Sequence, residues 1–375
     1  MNKATKILLT AALAITTAGA GMAQGASHIC AYVNDNVYGP NAVEGYKIGP
    51  GTATAHVGPY STNGQGYPGE FNSGGLAATR VLEGDLYVND EASKNITHFT
   101  VNKTDCTLTL DPTLYPSGDR DVAYGDTLAV TPDGRTMFVG STGDFHIYSH
   151  TIAAAGALGR TFTETLTNDY PAGFEVSPDG RTLVVSYFYL SEVCAYPISG
   201  GHLGKPNCQS LVYDPEGVSI DPSGACVYAA LSSLGTSGVA AFTLTGSVLG
   251  IPTVYKPFGP GENSTDVVVN WNNEAIYISD AESAQVISGS IASGCNLTYK
   301  AIIADGIPNS DFPGQIAQGK ISHAYVVTGD AVGGTPSMGI FEEHANGNLT
   351  PLGSGQFPLM SGSVHTATVV VVGVE

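Results

Sequence analysis

The sequence predicts an all-β protein, a seven-bladed β-propeller of four-stranded antiparallel blades. Three observations lead there. First, an apolar strand, a tight turn and a second apolar strand recur as one phrase. It reads V-T-P-D-G-R-T-M-F-V from Val130 to Val139 and V-S-P-D-G-R-T-L-V-V from Val176 to Val185. It weakens to I-D-P-S-G-A-C-V-Y-A from Ile220 to Ala229 and to V-N-W-N-N-E-A-I-Y-I from Val269 to Ile278. Pro, Asp and Gly set the turn and the flanking apolar residues set the strands, which together make a β-hairpin. Second, the middle of the second strand returns at Tyr32, Tyr87, Phe138, Val184, Tyr228, Tyr277 and Tyr325. Those intervals, roughly 44 to 55 residues, suit a four-stranded propeller blade of about 40–50 residues. Third, the two ends are complementary. Ile29 to Asp35 has the pattern of a second strand with no first strand before it, and His365 to Gly373 is an apolar strand with no blade of its own. The C-terminal strand is therefore expected to join blade 1, which closes the ring and removes two open sheet edges.

Taken in chain order, Met1 to Ala23 reads as a signal peptide. Lys3 and Lys6 are its basic start, Ile7 to Ala18 its apolar run, and Gly21-Met22-Ala23 its small-residue cleavage site. The apolar run is shorter than the about 20 residues a membrane-spanning helix needs. The expectation is an exported chain, secreted or periplasmic, with no membrane span. Residues 24–375 then form the propeller, expected as a monomer.

The chain carries 14 Lys+Arg against 33 Asp+Glu, a formal net charge of −19. Such a surface repels phosphate backbones and anionic lipid, so nucleic acid is excluded as a partner. Its 48 glycines mark a turn-rich β composition rather than a disordered one. All six cysteines follow the signal, an even number suited to disulfides in an oxidising compartment. Cys106, Cys208 and Cys295 each open the outer strand of a blade. Cys194 and Cys208 flank Gly201 in one hairpin and are candidates for a cross-strand bridge, with Cys226 competing for Cys208 from the next turn. Their spacing fits no zinc pattern, and the pairing stays open.

The P-D-G-R turn phrase, with A-Y-V-N-D-N-V-Y-G-P-N-A-V-E-G-Y from Ala31 to Tyr46, resembles the YVTN and lactonase-like superfamily of seven-bladed propellers. The resemblance covers essentially the whole chain after the signal. It implies the propeller fold and, through 6-phosphogluconolactonase-type members, hydrolysis of a small lactone. It also implies a Pro-His pair where several blades enter the channel. Here those positions read Gly125-Asp126, Ala172-Gly173 and Glu216-Gly217, and only His365 stands where a family histidine is expected.

Propellers place ligands at the mouth of the central channel, on the face opposite the P-D-G turns. Arg135, Arg181 and Trp271 are accordingly read as turn or packing residues. Lactone hydrolysis needs a base to activate water and a cation or donor for the developing oxyanion. His365 and Glu175 are the candidate bases. Arg120 is the candidate cation, because it is the one of five arginines after the signal that falls in a mouth loop. Each has a plainer reading: Arg120 paired with Asp119 or Asp121, and His365 bonded to backbone at a strand end. Asp126, Glu216 and Asp266 are candidate ligand contacts. As a ring they could hold Ca²⁺, but they fall in different blades and are read as a solvated acidic rim. No cofactor and no metal is expected, and no nucleotide-binding Gly-rich loop, H-E-x-x-H or G-x-S-x-G occurs.

Tyr187-Phe188-Tyr189 is placed on the loop after the second strand of blade 4, with Phe145 and His146 on the matching loop of blade 3. Clustered loop aromatics suit stacking on a planar or sugar ring, or a protein hot spot. Two functions follow. One is an exported lactonase-like hydrolase with a small-molecule ligand at the channel mouth. The alternative is a non-catalytic recognition propeller that binds a protein or glycan through its loop face.

Overall fold

The computed structural model describes residues 28–34, 39–49, 54–66, 76–78, 84–120, 127–167, 169–232, 236–259, 261, 263–280, 285–304, 310–318, 325–332, 335–344, 346–352, 357–358 and 368–373. Among them stand seven antiparallel sheets. Each has a four-stranded path, and blades 4, 5 and 7 carry one further short ribbon. From the channel outward, blade 1 is Thr368–Gly373, Ile29–Asn34, Gly39–Ile48 and Thr54–Gly66. Blade 2 is Leu76–Ala78, Asp85–Asp90, Asn95–Val101 and Leu108–Pro116; blade 3 is Thr127–Val130, Thr136–Ser141, His146–Ile152 and Leu158–Leu166. Blade 4 is Pro171–Val176, Thr182–Tyr187, Glu192–Ser199 and Asn207–Ser210; blade 5 is Asp214–Ile220, Cys226–Ser232, Val239–Thr245 and Thr253–Tyr255. Blade 6 is Ser264–Val269, Ala275–Asp280, Gln285–Ala292 and Asn296–Ala304; blade 7 is Ser310–Gln318, Tyr325–Val332, Thr335–Glu343 and Phe357–Pro358.

The first strand of each blade touches the first strand of the next, and the circuit returns to its start. At the join, Ile29 lies opposite Gly373 and Asn34 opposite Thr368. The one helical segment among the described residues is a single 3₁₀ turn, Glu91–Ser93, and no helix there is long and apolar enough to cross a membrane.

The turns between first and second strands repeat one chemical device. The side-chain oxygen of the turn's first residue accepts the amide five positions on: Thr136 N–H to Thr131 at 3.0 Å, Thr182 to Ser177 at 3.0 Å, Cys226 to Asp221 at 2.9 Å and Ala275 to Asn270 at 2.9 Å. The fourth position needs a left-handed backbone. Gly134, Gly180 and Gly224 supply it at φ 65°, 72° and 73°, and Asn273 supplies it at φ 59°, asparagine being the side chain that best tolerates that region. Arg135 and Arg181 serve through their amides, which donate to Asp133 and Asp179. Trp271 differs from the packing reading. It is exposed at the turn tip, because the chain reverses there and turns the indole outward.

The core is divided among the blade seams. Tyr228, Val239, Val267, Ile276 and Ile287 fill the seam between blades 5 and 6; Tyr32, Val43, Leu86 and Phe99 fill the one between blades 1 and 2. Each buried side chain of this size contributes about 1.5–3 kcal/mol. The repeat tyrosines tie seams together: Tyr32 Oη donates to Cys106 O at 3.0 Å, Tyr87 to Gly156 O at 2.7 Å and Tyr277 to Gly347 O at 2.9 Å. All three acceptors lie in the outer turn of the following blade. Two disulfides follow the same logic. Cys30–Cys106 and Cys226–Cys295 run from two residues before the repeat tyrosine to that same outer turn. The third, Cys194–Cys208, joins neighbouring strands within blade 4.

Candidate active site

Three carboxyl groups stand on successive first strands: Glu216 of blade 5 and Asp266 of blade 6 in the half nearer the mouth, and Glu175 of blade 4 one residue before its strand ends at the P-D-G turn. The local sequence makes room for them. A side chain at Gly173 would strike the carbonyl of Glu216, and one at Gly217 would strike the Asp266 carboxylate. Both glycines therefore let the next blade's strand close in. Val267 N–H donates to Asp266 Oδ1 at 2.8 Å and Ile316 N–H to Oδ2 at 3.1 Å, the second from blade 7.

Burial sets the acidity of this group. Glu216 is 4% exposed. Desolvation pushes its pKa up to about 8, opposed by a Ser232 hydroxyl and assisted by the charges of Asp266 and Asp214. Half-buried Asp266 is pushed up to about 7, again by desolvation, with the two amide bonds opposing and Glu175 adding to the rise. Burial thus pushes both carboxyl groups from the ordinary acid range up toward neutral pH, where a carboxyl group can take or give a proton. Every charged residue on the described first strands is acidic: Glu175, Asp214, Glu216, Asp266 and Asp311.

Arg120 sits elsewhere, at the rim between blades 2 and 3. Its amide donates to Asp144 Oδ2 at 3.2 Å, and its carbonyl accepts Lys94 Nζ at 2.9 Å. Asp144 organises that rim. It accepts the Tyr148 hydroxyl as well. His146 Nδ1 lies 2.6 Å from the Asp144 carbonyl and 3.4 Å from its Oδ1. His146 opens the third strand of blade 3, with its ring stacked on Tyr148 at 5.7 Å. His365 and Asp126 lie outside the described residues.

Tyr187 is not a loop residue. It ends the second strand of blade 4, is 2% exposed, and packs with Ala129 and Phe138 of blade 3. Its hydroxyl lies 2.6 Å from that of Tyr196, so it belongs to the seam and is removed as a ligand contact. The loop begins with Phe188 and Tyr189, whose rings meet edge to face at 5.2 Å, and Tyr170 closes the trio at 5.9 Å from Tyr189. The sequence reading missed Asp144, Ser232 and Tyr170. Asp144 had a visible signal in G-D-F-H, since it precedes the aromatic pair; the other two act only through folding.

Comparison with known proteins places the fold. Residues 82–220 match the family model described as lactonase, 7-bladed beta-propeller. A putative 6-phosphogluconolactonase from Bacteroides fragilis superposes with a TM-score of 0.70 at 15% identity, covering 92% of this chain and 98% of that one. The periplasmic gluconolactonase of Pseudomonas aeruginosa gives 0.68 at 14% identity, over 93% and 99%. A protein from Lactobacillus plantarum gives 0.69 at 14% identity, over 93% and 100%. No curated protein matches the chain in sequence. The chain thus resembles the lactonase-type seven-bladed propellers, and its fold is theirs.

Proposed function

We propose that this chain is an exported lactonase-like propeller that hydrolyses a small lactone at the channel mouth. The observation that carries the reading is the pair Glu216 and Asp266, two carboxyl groups on adjacent first strands that burial pushes up to about 8 and about 7. In the proposed reaction Asp266 takes a proton from water as it adds to the lactone carbonyl. The tetrahedral intermediate then collapses, the ring C–O bond breaks, and Glu216 gives its proton to the departing alkoxide. The product is a hydroxy acid. Glu175 holds Asp266 basic enough for its part. Arg120, which stands at the rim between blades 2 and 3, and His365 are kept in the test as the sequence's candidate cation and alternative base. The all-acidic set of first-strand charges favours an uncharged lactone over a phosphorylated one.

Export is part of the same proposal, with residues 1–23 as the signal peptide and 24–375 as the mature, monomeric propeller. Three disulfides support it, since such bonds persist in oxidising compartments, as does the fold of the periplasmic relative. Intact mass of the protein recovered outside the cytoplasm checks the cleavage.

The function is tested with a panel of sugar and aromatic lactones, with and without phosphate, assayed on wild type, Glu216→Gln, Asp266→Asn, Arg120→Ala and His365→Ala. The rate is expected to climb as pH rises through about 7 and to fall above about 8. No turnover above background across the panel, or full activity in both carboxyl variants, sinks the reading.

A further inference from the structure

A second feature of the mouth face runs from blade 3 to the head of blade 5's first strand at Asp214. Five large apolar side chains, Phe145, Leu166, Tyr189, Leu190 and Val212, are each between 42% and 84% exposed. They come from four separate top-face segments, yet backbone hydrogen bonds link these segments in turn. His146 pairs with Leu166 across blade 3. Thr167 N–H donates to Phe145 O at 2.9 Å. The segment after Thr167 then meets blade 4, where Leu190 N–H donates to Asp169 Oδ2 at 2.7 Å. Leu211 N–H donates to Ser191 O at 2.7 Å, which sets Val212 beside Leu190. Contiguous exposed apolar surface of this kind marks an interaction site more often than scattered single residues do.

The charges along the strip choose the partner. Glu192 and Asp214 lie within it, partly exposed, and each is held by a neutral donor, the Ser210 hydroxyl and the Ser191 hydroxyl. Among the described residues neither has a cationic partner. Arg120, beyond Asp144, and Lys256, over the Tyr213 ring at 3.5 Å, stand at the two ends. A second copy of this chain brings the same acidic strip and a net charge of −19, so self-association is opposed. A neutral glycan leaves the carboxylates uncompensated. We infer that the strip docks a basic peptide segment of a partner protein, one that alternates lysine or arginine with apolar side chains. The apolar residues would cover Tyr189, Leu190 and Val212, and the basic ones would neutralise Glu192 and Asp214.

The probe is a fluorescein-labelled peptide of alternating lysine and leucine, titrated into the purified full chain and read by anisotropy. Saturable binding that weakens with added salt is expected. The double variant Tyr189→Ser, Leu190→Ser should weaken it about tenfold or more, as removal of a hot spot does, and Val212→Lys should weaken it independently. These side chains are exposed, so the variants should melt with wild type, and Val212→Lys serves if the double variant does not. Equal affinity in the variants overturns the proposal. So does equal binding of a glutamate–leucine peptide, competition by a neutral oligosaccharide, or a concentration-dependent dimer that the same substitutions abolish.

Discussion

Asp90 and Glu216 are both acids withdrawn from water, and they are treated in opposite ways. Asp90 ends the second strand of blade 2 and is fully buried at the seam with blade 1. Its Oδ1 accepts Asn41 Nδ2 at 2.8 Å and Thr62 Oγ1 at 2.6 Å; its Oδ2 accepts Asn95 Nδ2 at 2.9 Å and Thr97 Oγ1 at 2.7 Å. Burial raises its pKa, and all four donors pull against that rise. Glu216 has one hydroxyl, from Ser232, and faces two further carboxyl groups. The first environment is built to hold a charge still. The second keeps a proton on the acid near neutral pH, the condition that general-acid work requires.

The comparison breaks first on activity. Glu216→Gln keeps the shape and removes the proton donor, so lactone turnover should fall by about 10²–10⁴-fold. Asp90→Asn should leave kcat/KM within a few-fold of wild type, measured on the same substrate. If the two variants lose activity alike, the distinction between the two acids is wrong.

The next effect is on stability against pH. The Glu216 pKa is raised from 4.5 to about 8 on folding, so the folded state binds more protons between those values. Stability from this group is complete below about 4.5 and is lost as pH rises through about 8. The shift corresponds to on the order of 5 kcal/mol, and Asp266, raised from 3.8 to about 7, acts in the same direction. Denaturant melts across pH 5 to 9 should therefore show falling stability in wild type and a flatter curve in Glu216→Gln. A variant curve as steep as wild type would place the titration elsewhere.

Asp90→Ala should cost about 3 kcal/mol, because it strands buried Asn41, Thr62, Asn95 and Thr97 donors with no acceptor. Urea midpoints of the variant and wild type at one pH check it.

Much of this arrangement is legible in the sequence, and what is not has a physical cause. The hairpins and their turns are local, so V-T-P-D-G-R-T and its relatives announce themselves. The pairing of Cys194 with Cys208 falls within one hairpin and was among the candidates for that reason. Cys30–Cys106 and Cys226–Cys295 cross blade seams, where partners are set by rotation about the channel rather than by spacing. The same holds for Glu216 and Asp266, which nothing in the chain between them brings together. Tyr187 failed on a shorter scale. A strand that runs one residue further than its turn signal suggests moves the last side chain from the loop into the seam.

The smallest effect tests the seams themselves. Tyr228 and Tyr277 hold the same repeat position in blades 5 and 6, and both are fully buried. The Tyr277 hydroxyl lies 2.9 Å from both Glu343 Oε1 and Gly347 O of the next blade. The Tyr228 hydroxyl is buried with no hydrogen-bond partner among the described residues, at the seam where Cys226–Cys295 already makes the tie. Removing a paired buried hydroxyl costs about 1 kcal/mol, while removing an unpaired one relieves a desolvated group. Tyr277→Phe should therefore lower stability by about that amount, and Tyr228→Phe should leave it unchanged or slightly raised. The pair is best compared in one urea series at pH 7, since the ring, its burial and its place in the repeat are then common to both. Equal losses would mean that the Tyr228 hydroxyl does find a partner, and that the tyrosine tie rather than the disulfide is the device common to these seams.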